Sequence, residues 1–108
     1  MQKYALKYLS KMKLVEYGNV SSISNAIEAW KELDSPFIHK LYNHFEDNSY
    51  VYSLIELKIG FIDLYSRLID SKQISENQTK FYAASILLGF EEMHSKKIAC
   101  RDLRVSLI

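Results

Sequence analysis

Near the start of the chain Tyr4, Leu6 and Tyr8 alternate with Ala5, Lys7 and Leu9, a period of two that predicts a strand over 2–9 and sets a lysine among apolar residues on one face. A lysine-rich turn over 11–13 and a loop near Gly18 follow. Apolar residues then recur at Ile23, Ala26, Ile27, Trp30 and Leu33, a helical stripe that predicts a helix over 22–33 with serines before it as N-caps. Asp34-Ser35-Pro36 ends that helix, because proline disfavours helical backbone in the residue before it and has no amide hydrogen of its own. Aromatic and β-branched residues fill 37–45 and 50–55 on either side of Glu46-Asp47-Asn48-Ser49, which predicts a hairpin.

Beyond Gly60 the period lengthens. Phe61, Leu64, Tyr65, Leu68 and Ile69 fall at i, i+3, i+4, i+7 and i+8, so a short amphipathic helix is expected to about residue 71. Ser75 and Gln78 have the spacing of a capping box, opening a helix to about residue 96. Between 81 and 90 that helix is apolar almost all round and needs neighbours on most sides, few of which this chain supplies. The order is strand, helix, two strands, two helices and a short tail, an α+β arrangement of one domain.

Composition narrows the function classes. With 14 Lys and Arg against 13 Asp and Glu the net charge is +1, so no chain-wide field recruits nucleic acid or an anionic membrane. The longest apolar stretch, 81–90, is about half the roughly 20 residues a membrane span needs and contains Ser85, so no span is expected. The first residues show no basic segment followed by an apolar one, which argues against a secretory signal. Cys100 is the single cysteine and closes no disulfide within the chain, which fits a reducing, cytoplasmic setting. His39, His44 and His94 lack a metal-ligand spacing, read as structural or exposed, and no metal site is assigned.

Several segments, in order, carry a likeness. Tyr4-Ala5-Leu6-Lys7 is similar to a V-A-I-K strand, Ser35-Pro36-Phe37-Ile38 to the entry of a following strand, and Leu54-Ile55-Glu56 to a hinge that cups adenine. Phe81-Tyr82-Ala83-Ala84 through Met93-His94-Ser95 is similar to the long helix before a catalytic loop, and Cys100-Arg101-Asp102-Leu103 to H-R-D-L. The chain thus resembles the middle of a eukaryotic protein kinase domain, most closely the cyclic-nucleotide-dependent branch of the serine/threonine kinases. The resemblance implies a partial kinase fold, with residues 1–56 as the N-lobe part and 57–108 as hinge, two C-lobe helices and catalytic loop. It implies ATP and magnesium as cofactors and a protein substrate or protein partner.

It also implies roles. Lys7 would hold the α- and β-phosphates, Ala5 would pack against adenine, Ile55 would be the gatekeeper, Glu56 would belong to the hinge, and Asp63 would lie near the ribose. Asp102 would accept the proton of the substrate hydroxyl, with Arg104 near the transferred phosphate. Trp30 and Leu41 would be packing positions.

Departures from the family pattern accompany the likeness. Counted from Lys7 without a gap, the helix position expected to carry the lysine-pairing glutamate holds Ala26, and Glu28 lies two residues on, turned by about 200° around the helix. Leu107 stands where an asparagine should ligate a second metal, and Cys100 replaces the ring that packs beneath the loop. No G-x-G-x-x-G precedes Lys7 and no D-F-G follows Asp102, so the sequence predicts a truncated, inactive kinase domain. The alternatives are a non-catalytic kinase-like module that binds another protein, and a piece of a longer product that carries the missing loops.

Overall fold

A computed structural model describes residues 2–18, 20–58, 60–101 and 103. The chain forms two compact units, Met1–Lys58 and Ile59–Ile108. The first contains strand β1 (Tyr4–Ser10), helices α1 (Lys11–Glu16) and α2 (Val20–Lys31), and strands β2 (Leu41–Glu46) and β3 (Tyr50–Glu56). The second contains helices α3 (Leu64–Ser71) and α4 (Glu76–Ser95), so the expected α+β class holds.

The three strands make one antiparallel sheet in the order β1-β3-β2. Lys7 opposes Ser53, which in turn opposes His44, and Ala5 opposes Ile55, which opposes Leu41. Because side chains alternate across a pleat, these residues share one face, and α2 lies against it. The other face carries Tyr4, Leu6, Tyr8, Phe45, Tyr50 and Tyr52. Its rings pair across strands: Phe45 stacks on Tyr52 at 5.1 Å, and Tyr8 meets Tyr50 edge-on at 5.7 Å. A bulge between Leu41 and Asn43 inserts Tyr42 as an extra residue, and its ring meets Tyr4 at 4.9 Å.

β1 begins at Tyr4 rather than at residue 2 and α3 at Leu64 rather than Phe61, and three further elements differ from the sequence expectation in extent or kind. The lysine-rich segment after β1 is α1 rather than a turn, since straight-chain residues such as Lys11, Met12, Lys13 and Leu14 lose little freedom in a helix and no glycine or proline interrupts them. Gly18 closes α1 with φ +67°, the left-handed geometry that suits a residue without a Cβ. Helix α2 starts two residues early and stops at Lys31, after which Glu32 and Leu33 bond back three residues to Ala29 and Trp30 in a tightened last turn. Strand β2 begins at Leu41 instead of 37, because Ser35 takes the next residues into a turn. Its hydroxyl accepts from the Phe37 amide at 3.1 Å and its carbonyl from the Ile38 amide at 3.2 Å.

In the second unit the expected cap of α4 forms, and α3 has one that the sequence reading did not assign. Ser75 accepts from the Gln78 amide at 3.1 Å, and the Gln78 side chain accepts from the Ser75 amide at 3.0 Å, completing the capping box. Asp63 caps α3, accepting from the Ser66 amide at 2.8 Å and the Ser66 hydroxyl at 3.0 Å. The apolar surround of α4 is largely open, with Phe81 69% and Leu87 68% exposed.

Asp47 holds the hairpin turn. Its carboxylate accepts from the amides of Ser49 and Tyr50 at 2.7 Å each and from the Tyr52 hydroxyl at 2.8 Å. The Tyr52 hydroxyl first, and then the two amides, hold its carboxyl below the usual carboxylate range. A carboxyl with a lowered value in the folded state contributes stability that is complete above its unfolded value of about 3.9 and is lost as pH falls through the folded value. Asp47→Asn should therefore melt at a lower temperature than the parent chain at neutral pH. The gap should close as acid titrates the parent, a course that thermal melts across a pH series would follow. A gap that stays constant into acid would contradict this account of the turn.

Candidate functional site

The inner face of the sheet positions the residues that carry chemistry in the first unit. β1 supplies Ala5, Lys7 and Leu9 on alternate positions, and β3 supplies Val51, Ser53 and Ile55 opposite them. Helix α2 covers this face with Ile23, Ile27 and Trp30, and Ile27 is buried. The Trp30 indole donates to the His39 carbonyl at 2.7 Å, which anchors the helix to the segment before β2. Between helix and sheet lies a cavity of about 190 Å³, bordered by Lys7 and Ser53 on the sheet side and by Ala26 on the helix side.

Lys7 is exposed along its strand and makes no ion pair with any described residue. Glu28 does not reach into that cavity. Its carboxylate is held by Lys31 at 2.8 Å, which keeps its carboxyl below the usual range. The groove that holds Lys7 therefore has a methyl group at Ala26 where a carboxylate could have stood.

Two polar residues on the rung of Lys7 escape a reading of the sequence as motifs. Ser53 is the buried polar residue of the sheet, 8% exposed, and its hydroxyl lies 3.4 Å from Nδ1 of His44. The signal was present as a serine at a position where the strand alternation 50–55 calls for an apolar residue. His44, read from the sequence as structural or exposed, is half-buried as the cross-strand partner of that serine.

The remaining site residues are distributed unevenly. Ala5 and Ile55 are cross-strand partners two rungs from Lys7, both half-buried, so these three share the inner face. Glu56 opposes Tyr4 and is therefore on the other side of the pleat, with its amide donating to the Lys40 carbonyl at 3.0 Å. Asp63 belongs to the second unit, where both carboxylate oxygens serve as the cap of α3 and hold its carboxyl below the usual range. Asp102, Arg104 and Leu107 lie outside the described residues. Among the described residues no group of three or more His, Cys, Asp or Glu is placed to hold a metal ion, and no helix is long and apolar enough to cross a membrane.

The profile of the protein kinase domain matches residues 1–108. A cGMP-dependent protein kinase of Plasmodium berghei (strain Anka) is 37% identical over 102 residues, covering 94% of this chain and 12% of that protein. Human cGMP-dependent protein kinase 2 is 36% identical over 101 residues, with 94% and 13% covered. The cAMP-dependent protein kinase catalytic subunit of Dictyostelium discoideum is 34% identical over 101 residues, with 94% and 15% covered. The chain thus spans between 12% and 15% of the length of these relatives.

The shared cavity makes a direct test of the α2 register possible. Ala26→Glu should introduce a carboxylate within reach of Lys7 and stabilise the fold by an increment below about 1 kcal/mol, since the pair stays partly solvated. The increment should shrink in high salt and be absent when Lys7→Met is present, as a double-mutant cycle of denaturant unfolding would show. Equal gains with and without Lys7 would contradict the register.

Proposed function

The chain belongs to the protein kinase domain family, and from that premise we propose that it is a nucleotide-binding segment of a serine/threonine kinase of the cyclic-nucleotide-dependent type whose capacity for phosphate transfer is attenuated. The three-stranded sheet with α2, followed by α3 and α4, is part of that fold.

The inner face supports the nucleotide reading. Ala5 and Ile55, opposite each other on β1 and β3, give a flat apolar wall against which a purine could lie, and Lys7, one position further along the same face, would meet phosphate oxygens as a point charge. Asp63 would reach a ribose hydroxyl only by giving up part of its cap on α3. Asp102 would take the proton of a protein hydroxyl and Arg104 would face the phosphate being transferred, roles that rest on the Cys100-Arg101-Asp102-Leu103 likeness alone. Magnesium would arrive in this reading with the nucleotide, as ATP·Mg.

Ala26 is the observation that carries the attenuated character. Phosphate transfer depends on positioning, and a lysine without a carboxylate neighbour keeps its charge but loses its fixed direction. Leu107, with no side-chain oxygen, adds a second departure at the sequence level. The same Ala26 favours a second reading, a kinase-like module that binds another protein and transfers nothing.

Calorimetric titration of the chain with ATP and magnesium, repeated on Lys7→Met, separates the readings. Weak but measurable binding is expected, reduced about tenfold or more without the ammonium, the effect of losing one charge-assisted contact. No binding at all would favour the second reading, and tight binding indifferent to Lys7 would overturn the assignment of the phosphate site.

A further inference from the structure

We infer that the cavity between α2 and the inner face of the sheet is a binding site for a small apolar monocarboxylate, with Lys7 as counter-ion and Ser53 as hydrogen-bond partner. Size sets the first limit. About 190 Å³ is too small for a drug-sized molecule but large enough for one six-membered ring with a carboxyl group, given that an aliphatic cavity of about 150 Å³ accommodates benzene.

The lining sets the second limit. Leu9, Ile23, Ile27 and Val51 form apolar walls that reward burial of a hydrocarbon body, and the polar atoms available come from Lys7 and Ser53. A polyanion such as phosphate would leave most of its oxygens against hydrocarbon, whereas a monocarboxylate presents two oxygens to one ammonium and one hydroxyl. Lys7 has no ion-pair partner among the described residues, so a ligand need not displace one. Ser53 is more than nine-tenths buried, and its neighbour His44 lies 3.4 Å away at Nδ1. When Nδ1 carries the proton it donates to the serine oxygen, and the serine proton is then free for a carboxylate.

The space exists because α2 presents Ala26 at this level, so the site is a property of this chain's own residues, and it shares Lys7 with the nucleotide reading. It needs no phosphate contact and no residue of the second unit.

Trp30, the single tryptophan of the sequence, borders the cavity and reports on its contents. The full chain is titrated with cyclohexanecarboxylate and, separately, with the neutral cyclohexanecarboxamide at constant ionic strength, following Trp30 emission. The carboxylate is expected to give a saturable millimolar response, with the carboxamide about fivefold weaker, the worth of one partly solvated charge pair. Lys7→Met should erase the difference between the two ligands, and Ser53→Ala should weaken the carboxylate. Ala26→Leu should abolish both responses by filling the space, with far-UV circular dichroism confirming that each variant is folded. Equal responses to the two ligands, no saturable response, or unchanged binding by folded Ala26→Leu would each overturn the proposal. The comparison of ligands on the unaltered chain decides the matter even if a variant misfolds.

Discussion

The cross-strand rung that joins Lys7, Ser53 and His44 is the constraint on which the first unit depends. A strand has a side-chain period of two, so a slip of one residue between β1 and β3 would turn Lys7 outward and bring Tyr8 beneath α2, and a slip between β2 and β3 would turn His44 away from Ser53. Two local devices oppose the second slip. Asp47 fixes the hairpin through the amides of Ser49 and Tyr50, and the bulge at Tyr42 absorbs one residue so that Leu41 can return to the face of Ile55. The aromatic ladder on the outer face would also be dismantled by a shift.

With that register in place, helix periodicity decides which side chains of α2 meet the sheet. Ile23, Ala26, Ile27 and Trp30 recur three and four apart and share the stripe facing β1 and β3, while Glu28 falls elsewhere and finds Lys31 one turn along. The chemistry of the cavity follows from this geometry: one ammonium, one buried hydroxyl, apolar walls and no carboxylate. The second unit relies on different physics. Its helices are defined at their starts by Asp63 and by the Ser75 and Gln78 box, and much of the apolar surface of α4 remains open, so capping rather than burial marks where these helices begin.

Much of this was legible in the sequence, and the gaps have physical causes. Period-two alternation locates β1, aromatic and β-branched composition beside the turn cluster 46–49 locates β3, the three-and-four spacing locates α2, and the Ser75 spacing locates α4, because each signal is local. The lysines over 11–13 suggest a turn, yet lysine is a good helix former and the chain continues into α1. Phe37 and Ile38 have strand composition, but the turn made by Ser35 delays β2 until Leu41. Ser53 and His44 form no motif, and only the pairing of three strands shows that they share a rung with Lys7. Asp102 and Arg104 lie outside the described residues, and the roles proposed for them rest on sequence likeness.

The central claim is that α2 turns Ala26, and not Glu28, toward Lys7. Cross-linking rates test it most directly. In a Cys100→Ser background, Lys7→Cys is combined with either Ala26→Cys or Glu28→Cys, and both proteins are treated with a short bis-thiosulfonate linker that joins thiols only a few ångströms apart. The register described here predicts rapid cross-linking of the pair at 7 and 26 and slow or absent cross-linking at 7 and 28. Faster reaction at 28 would show that the helix is rotated, and would restore to Lys7 the carboxylate this account denies it.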